Sequence, residues 1–204
     1  MMPGTSMTPA ARILLIGAAF LAGLVVCFGV ILLVSGRGPG PLPQASAAIG
    51  GSFELTDQDG RTVTDRDLKG RPFLVFFGFT NCPDTCPTTL FEVSEVLRAL
   101  GPDADKVNAL FVTVDPERDT PAQLKDYISS FDPHLRGLTG DPAAIAAITR
   151  AYRVYAKKVP QENGNYTMDH TAIVYLMDKD GRFVAPFNIK RTTADAAADL
   201  RKYL

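Results

Sequence analysis

The 204-residue chain has no tryptophan, two histidines and three cysteines, so few side chains are available to build a metal site or a nucleophile. Residues 1–47 hold no acidic side chain and only two basic ones, Arg12 and Arg37. Residues 48–204 carry 19 Lys and Arg against 22 Asp and Glu, a mildly acidic balance that excludes the basic footprint of nucleic-acid binding. Charged residues make up 21% of the chain and several apolar runs are long, which excludes wholesale disorder.

The charge-free stretch from Ile13 to Val34 is 22 residues long. As a helix it would span about 33 Å, enough for a hydrocarbon core of roughly 30 Å. Secretory signal cores usually run only about 7–15 apolar residues, so an uncleaved anchor fits better, even though Ala45-Ser46-Ala47 resembles a cleavage site. Cys27 reads as a plain thiol inside this segment. Residues 35–50, SGRGPGPLPQASAAIG, read as a solvated linker. The expected organisation is an N-terminal arm over 1–12, a transmembrane helix over 13–34, the linker over 35–50 and a soluble domain over 51–204. The short arm favours a cytoplasmic N-terminus with the domain outside.

In the soluble part, FELTDQDG followed by RTVT predicts a hairpin around an Asp-Gly turn. Pro72 to Phe79 is an almost unbroken apolar run, a strand buried on both faces. A helix is expected from Pro87 to Gly101, a second buried strand over 109–114, then helices opening at Thr120-Pro121 and Asp141-Pro142. Thr171 to Met177 and Arg182 to Pro186 flank a turn, and Thr192 or Thr193 caps a last helix. Strands alternating with helices, closed by a hairpin and a helix, specify an α/β fold with a mixed sheet.

The chemistry concentrates in Gly78-Phe79-Thr80-Asn81-Cys82-Pro83-Asp84-Thr85-Cys86-Pro87, where a buried strand ends and a helix begins. Ligand sites of open α/β sheets lie just beyond the carboxyl ends of strands. The spacing of Cys82 and Cys86 allows a disulfide, and because Pro87 disfavours helical dihedrals at its predecessor, Cys86 is expected at the helix cap, where the dipole favours a thiolate. Two sulfurs are too few for a structural zinc site. His134, in Asp-Pro-His-Leu, reads as part of a surface turn. His170 precedes the apolar strand and can lie near the cysteines if that strand pairs in parallel fashion with 73–79. Two thiolates and an imidazole suit Cu(I) and can hold Cu(II). Asp169, beside His170, could orient its ring, though a solvated carboxylate is the preferred reading. Asp115-Pro116-Glu117-Arg118-Asp119 admits two readings: an acidic loop that docks a partner or assists metal transfer, or a turn in which Asp119 or Thr120 caps the next helix. Lys157-Lys158 and Gln161–Asn165 are expected to form a mobile loop.

Taken in order, FGFTNCPDTCPTTL, TVDPERDTP, GLTGD and YTMDHTAIVYLMDKDGRF after an N-terminal anchor resemble the Sco/SenC family, over about residues 48–204. The resemblance implies a thioredoxin-like copper chaperone for cytochrome c oxidase assembly, with Cys82, Cys86 and His170 as copper ligands. It also implies a subunit II-type acceptor with a binuclear copper centre, and leaves room for a second copper chaperone or a thiol reductant as partner. The family often has His where this chain has Asn81. With no Arg-rich transit peptide, the expected location is a bacterial inner membrane with the domain on the periplasmic side. The competing reading is a thiol–disulfide oxidoreductase that uses Cys82 and Cys86 as its redox pair. Against it stand the CxxxC spacing, where such enzymes have CxxC, and His170-Thr171 where they place a proline. A peroxide-reducing relative would leave His170 without a role.

Overall fold

The computed structural model describes residues 9–35, 49–162 and 164–204. The chain divides after Ser46 into two units. In the first, helix α1 runs Pro9–Ser35. Leu14, Phe20, Leu24, Phe28 and Ile31 are all exposed on it. Such a surface is unfavourable in water and favourable in hydrocarbon, where a helix satisfies its own backbone. By length and composition α1 is able to cross a membrane. The arm over 1–12 and the linker over 35–50 fall mostly outside the described residues.

The second unit opens with the expected hairpin, β1 (Glu54–Asp57) and β2 (Thr62–Thr64). Asp57 Oδ1 accepts hydrogen bonds from the N–H groups of Asp59 and Arg61, and Gly60 takes the positive φ that the turn demands. Strand β3 (Phe73–Gly78) is buried throughout. It leads into α2 (Thr85–Leu100), stopped by Gly101 at φ 58. Then come β4 (Asn108–Thr113), α3 (Pro121–Ile128), β5 (Leu135–Thr139) and α4 (Pro142–Ala151). Both α3 and α4 begin with proline after a capping side chain: Thr120 accepts from the Gln123 N–H, and Asp141 from that of Ala144. Strands β6 (Ala156–Pro160) and β7 (Tyr166–His170) form a separate two-stranded hairpin. The chain ends with β8 (Val174–Met177), β9 (Phe183–Pro186) and α5 (Thr193–Arg201), which packs on α2.

The main sheet has the order β2-β1-β5-β4-β3-β8-β9. Its centre, β5-β4-β3, is parallel, and both flanks are antiparallel. In the β3–β4 ladder Gly78 stands opposite Thr113, so the segments leaving these two strands emerge side by side. Strand β8 runs the other way, pairing Val174 with Phe76, which brings the chain just before β8 to that same end of the sheet. The expected neighbour relation is therefore found, but antiparallel rather than parallel. Two elements escaped the sequence. Strand β5 is five residues long with a glycine in its middle. The supposed loop over 157–165 is largely the β6–β7 hairpin, whose exposed β6 and half-buried β7 strands show no apolar alternation to read.

Candidate metal centre

After Gly78 the chain turns back under itself before α2 begins. Asp119, fully buried, organises this turn: its carboxylate accepts from the Thr80 N–H (3.0 Å), the Thr80 hydroxyl (2.6 Å) and the Thr113 hydroxyl (2.6 Å). The Cys82 N–H donates to the Phe79 carbonyl, and the Cys86 N–H points at the sulfur of Cys82, 3.4 Å away. Cys82 is half-buried and Cys86 is 0% exposed; both are free thiols.

Cys86 lies inside the first turn of α2, with Asp84 at the N-cap, and not at the cap itself. The missing N–H of Pro87 costs nothing there, because first-turn donors have no helical acceptor. The expected thiolate stabilisation is overridden as well. Burial pushes the Cys86 thiol well above the ordinary thiol range; a hydrogen bond from the Phe79 backbone opposes the rise, while Cys82 and Asp119 add to it.

His170 ends β7, and its Nε2 lies 3.6 Å from the Cys86 sulfur. Its Nδ1 is 3.1 Å from the Thr171 carbonyl, which can only accept. The ring proton therefore sits on Nδ1, and the Nε2 lone pair faces the sulfur. Phe76 and Phe79 meet the imidazole edge-on, with ring centroids 6.2 and 5.7 Å away. The ligand atoms of Cys82, Cys86 and His170 all lie within 4.8 Å of one another, and this is the single such group among the described residues. Two donors that share one first-row metal ion at about 2.0–2.3 Å stand roughly 3–4 Å apart, so the spacing needs only small closure. Two sulfurs and one nitrogen form a soft, three-donor set that fits copper.

The remaining candidates lie elsewhere or do something else. His134 is held by Asp132 and Asp105 through Nδ1 and Nε2, a structural arrangement in a turn. Asp169 and Asn81 are exposed, and the ring of His170 is oriented by the Thr171 carbonyl instead. Cys27 lies on α1. In the 115–119 segment Thr120 is the helix cap, while Asp115 and Asp119 are buried in hydrogen bonds, leaving only Glu117 among its acids to solvent. Sequence reasoning missed Asp119 as the support of the cysteine turn. Its sole signal was the density of charge in TVDPERDTP.

Comparison with known proteins places these features in context. The SCO1/SenC family model matches residues 42–204. The mitochondrial SCO1 homolog 1 of Arabidopsis thaliana is 38% identical over 162 residues, which is 77% of this chain and 48% of that protein; this chain thus spans about half its length. The copper-bound structure of Bradyrhizobium japonicum ScoI is 71% identical with a TM-score of 0.76, covering 77% of this chain and all of that one. BsSco, presented as having a disulfide switch and as a member of the Sco family of cytochrome c oxidase assembly proteins, is 26% identical with a TM-score of 0.63, covering 76% of this chain and 94% of its own. The architecture shared with these structures is thioredoxin-like, with a mixed central sheet.

Proposed function

The chain belongs to the SCO1/SenC family, and from that premise we propose that it is a membrane-anchored copper chaperone for cytochrome c oxidase assembly. The observation that carries the reading is the convergence of Cys82, Cys86 and His170 within 4.8 Å in a chain 71% identical to a protein solved with copper bound. Copper is the cargo. Binding displaces protons from the thiols, the neutral Nε2 of His170 adds the third donor, and transfer proceeds by exchange onto the thiolates of an acceptor. That acceptor is the binuclear copper centre of a subunit II-type protein. A Cys82–Cys86 disulfide would have no thiolate to offer, so oxidation would release the metal. Thiol–disulfide exchange as the main activity is disfavoured, because it leaves His170, which lies with both sulfurs in one cluster, without a role.

Residues 13–34 span a bacterial inner membrane in this reading. Residues 35–50 are the tether, and 51–204 form the copper-binding domain on the periplasmic side. The apolar surface of α1 supports the anchor.

The test uses the full chain in detergent, reduced and titrated with Cu(I) and Cu(II). One copper per chain is expected. Loss of outer partners of a metal ligand already costs about 10–100-fold in affinity, so Cu(II) binding should weaken by more than about 100-fold in His170→Ala and Cys86→Ser. Equal binding by the parent and His170→Ala would sink the ligand set.

A further inference from the structure

The segment Asp115–Asp119, between β4 and α3, contributes no ligand atom to the copper cluster, yet it touches both halves of it. On one side Asp119 holds Thr80, two residues before Cys82. On the other side Arg118 and its neighbours grip the β6–β7 hairpin that ends in His170. We propose that this segment is the positioning element of the metal centre, with Asp119 fixing the cysteine turn and Arg118 fixing the histidine hairpin. The inference rests on the copper reading above.

Arg118 is held through two of its three guanidinium nitrogens, Nη2 being buried without a hydrogen-bond partner. Its Nε pairs with Asp115, whose side chain is 2% exposed, and its Nη1 donates to the Tyr166 carbonyl at 2.9 Å. The guanidinium lies over the Tyr166 ring at 3.8 Å and over the Phe79 ring at 5.9 Å. Phe79 in turn meets the His170 imidazole edge-on. A chain of cation–π and edge-on ring contacts, Tyr166–Arg118–Phe79–His170, therefore joins the hairpin, the positioning segment, the cysteine turn and the ligand ring. Two further ties run in parallel. The Tyr166 hydroxyl donates to Asp115 at 2.9 Å, and Lys158 reaches Glu117 at 2.8 Å while covering the other hairpin strand's Tyr166 at 4.1 Å.

The hairpin depends on such ties. It is outside the main sheet, and a two-stranded hairpin alone is marginal in water. Its base is closed by the mutual bonds of Tyr155 and Thr171, but these hold it to itself and not to the cysteine turn. Met168 adds packing against the core. Among the contacts described from hairpin to positioning segment, Arg118 combines a planar fork with close contact on the Tyr166 ring, which lysine cannot reproduce.

The two oxidation states of copper should feel the loss differently. Two thiolates satisfy soft Cu(I), whereas Cu(II) gains more from the imidazole. Loosening the hairpin should therefore weaken Cu(II) selectively, a signature that general destabilisation would not give.

The experiment loads full-length parent, Arg118→Ala, Arg118→Lys and Tyr166→Phe in detergent with Cu(I) and, separately, Cu(II). Arg118→Ala is expected to lose about 10–100-fold in Cu(II) affinity, the usual range for a partner that orients a metal ligand, and to lose less for Cu(I). The imidazole nitrogen coupling in the Cu(II) electron paramagnetic resonance spectrum should weaken, and amide exchange over 156–170 should accelerate. Arg118→Lys should recover only part of this. Tyr166→Phe keeps its ring and loses one hydrogen bond, so it shows the same signs in smaller degree even if Arg118→Ala does not fold. The proposal is overturned if Arg118→Lys and Tyr166→Phe keep the parent's Cu(II) spectrum, affinity and hairpin exchange. Equal losses for Cu(I) and Cu(II) overturn it too, by marking a merely structural role. A parent that takes up no copper would instead overturn the copper reading, and hairpin exchange would then decide the positioning role alone.

Discussion

The sulfur of Cys86 rests against the bare Cα of Gly78: a Cβ built on that glycine would lie 2.8 Å from Sγ and 2.7 Å from the Phe111 ring. The backbone of β3 thus serves as the floor of the metal centre, and only glycine leaves room for the sulfur.

Replacing that glycine is accordingly a way to move the thiol without deleting it. Gly78→Ala should cost about 1–3 kcal/mol of stability, the usual range for overpacking, and should weaken copper binding beyond what its stability loss explains. Denaturant unfolding and a copper titration on the same preparation check this. A variant with the parent's copper affinity would mean that the sulfur has another resting place.

Asp119 accepts three hydrogen bonds in the interior, two of them on one oxygen. Asp119→Asn places an amide N–H against at least one donor there and should destabilise by about 1–3 kcal/mol. A shift in the urea midpoint at unchanged slope would show it. No shift would mean that the Thr80 turn holds itself.

His134 offers a pH test remote from the metal. A hydrogen bond to Asp132, aided by Asp105, raises its pKa above the ordinary 6.5. A raised folded-state pKa contributes stability that is complete below the unfolded value and is lost as pH rises through the folded one. His134→Asn should therefore lower the melting temperature more at pH 6 than at pH 9. The same decrement at both values would show that the charge on the imidazole contributes nothing.

The anchor reading is testable by a single charge. Leu24, exposed on α1 within the apolar span Leu14–Ile31, when changed to Arg raises the insertion cost by about 2.5–3.5 kcal/mol. Alkaline carbonate should then extract Leu24→Arg from membranes more readily than the parent. Equal retention would mean that the helix is not what holds the protein there.

Much of the site was legible because it is local. The apolar run of β3 announces a buried strand, Cys82 and Cys86 are four residues apart on the turn after it, and Asp57, Gly60, Thr120 and Asp141 form the turn and caps that their chemistry favours. The β6–β7 hairpin was not legible. β6 lies exposed and β7 is half-buried without a fully buried position, so selection for burial writes no period into them, and their ties include Arg118, nearly fifty residues before Tyr166 in the chain. The pKa of Cys86 has a related lesson: the helix dipole that favours a thiolate is visible in sequence, but the burial that pushes the thiol pKa up is not.

By itself, then, the sequence determined the apolar helix, the buried strands and the paired cysteines, all of them consequences of side chains within a few residues of each other. Tertiary structure decided that His170 joins the two cysteines. Nε2 of His170 reaches the Cys86 sulfur across 84 residues because β8 pairs antiparallel with β3, while Arg118 contacts both Tyr166 of the hairpin and Phe79 of the cysteine turn. Strand direction and long-range stacking arise from the sum of burial over the whole core, and no local pattern encodes that sum.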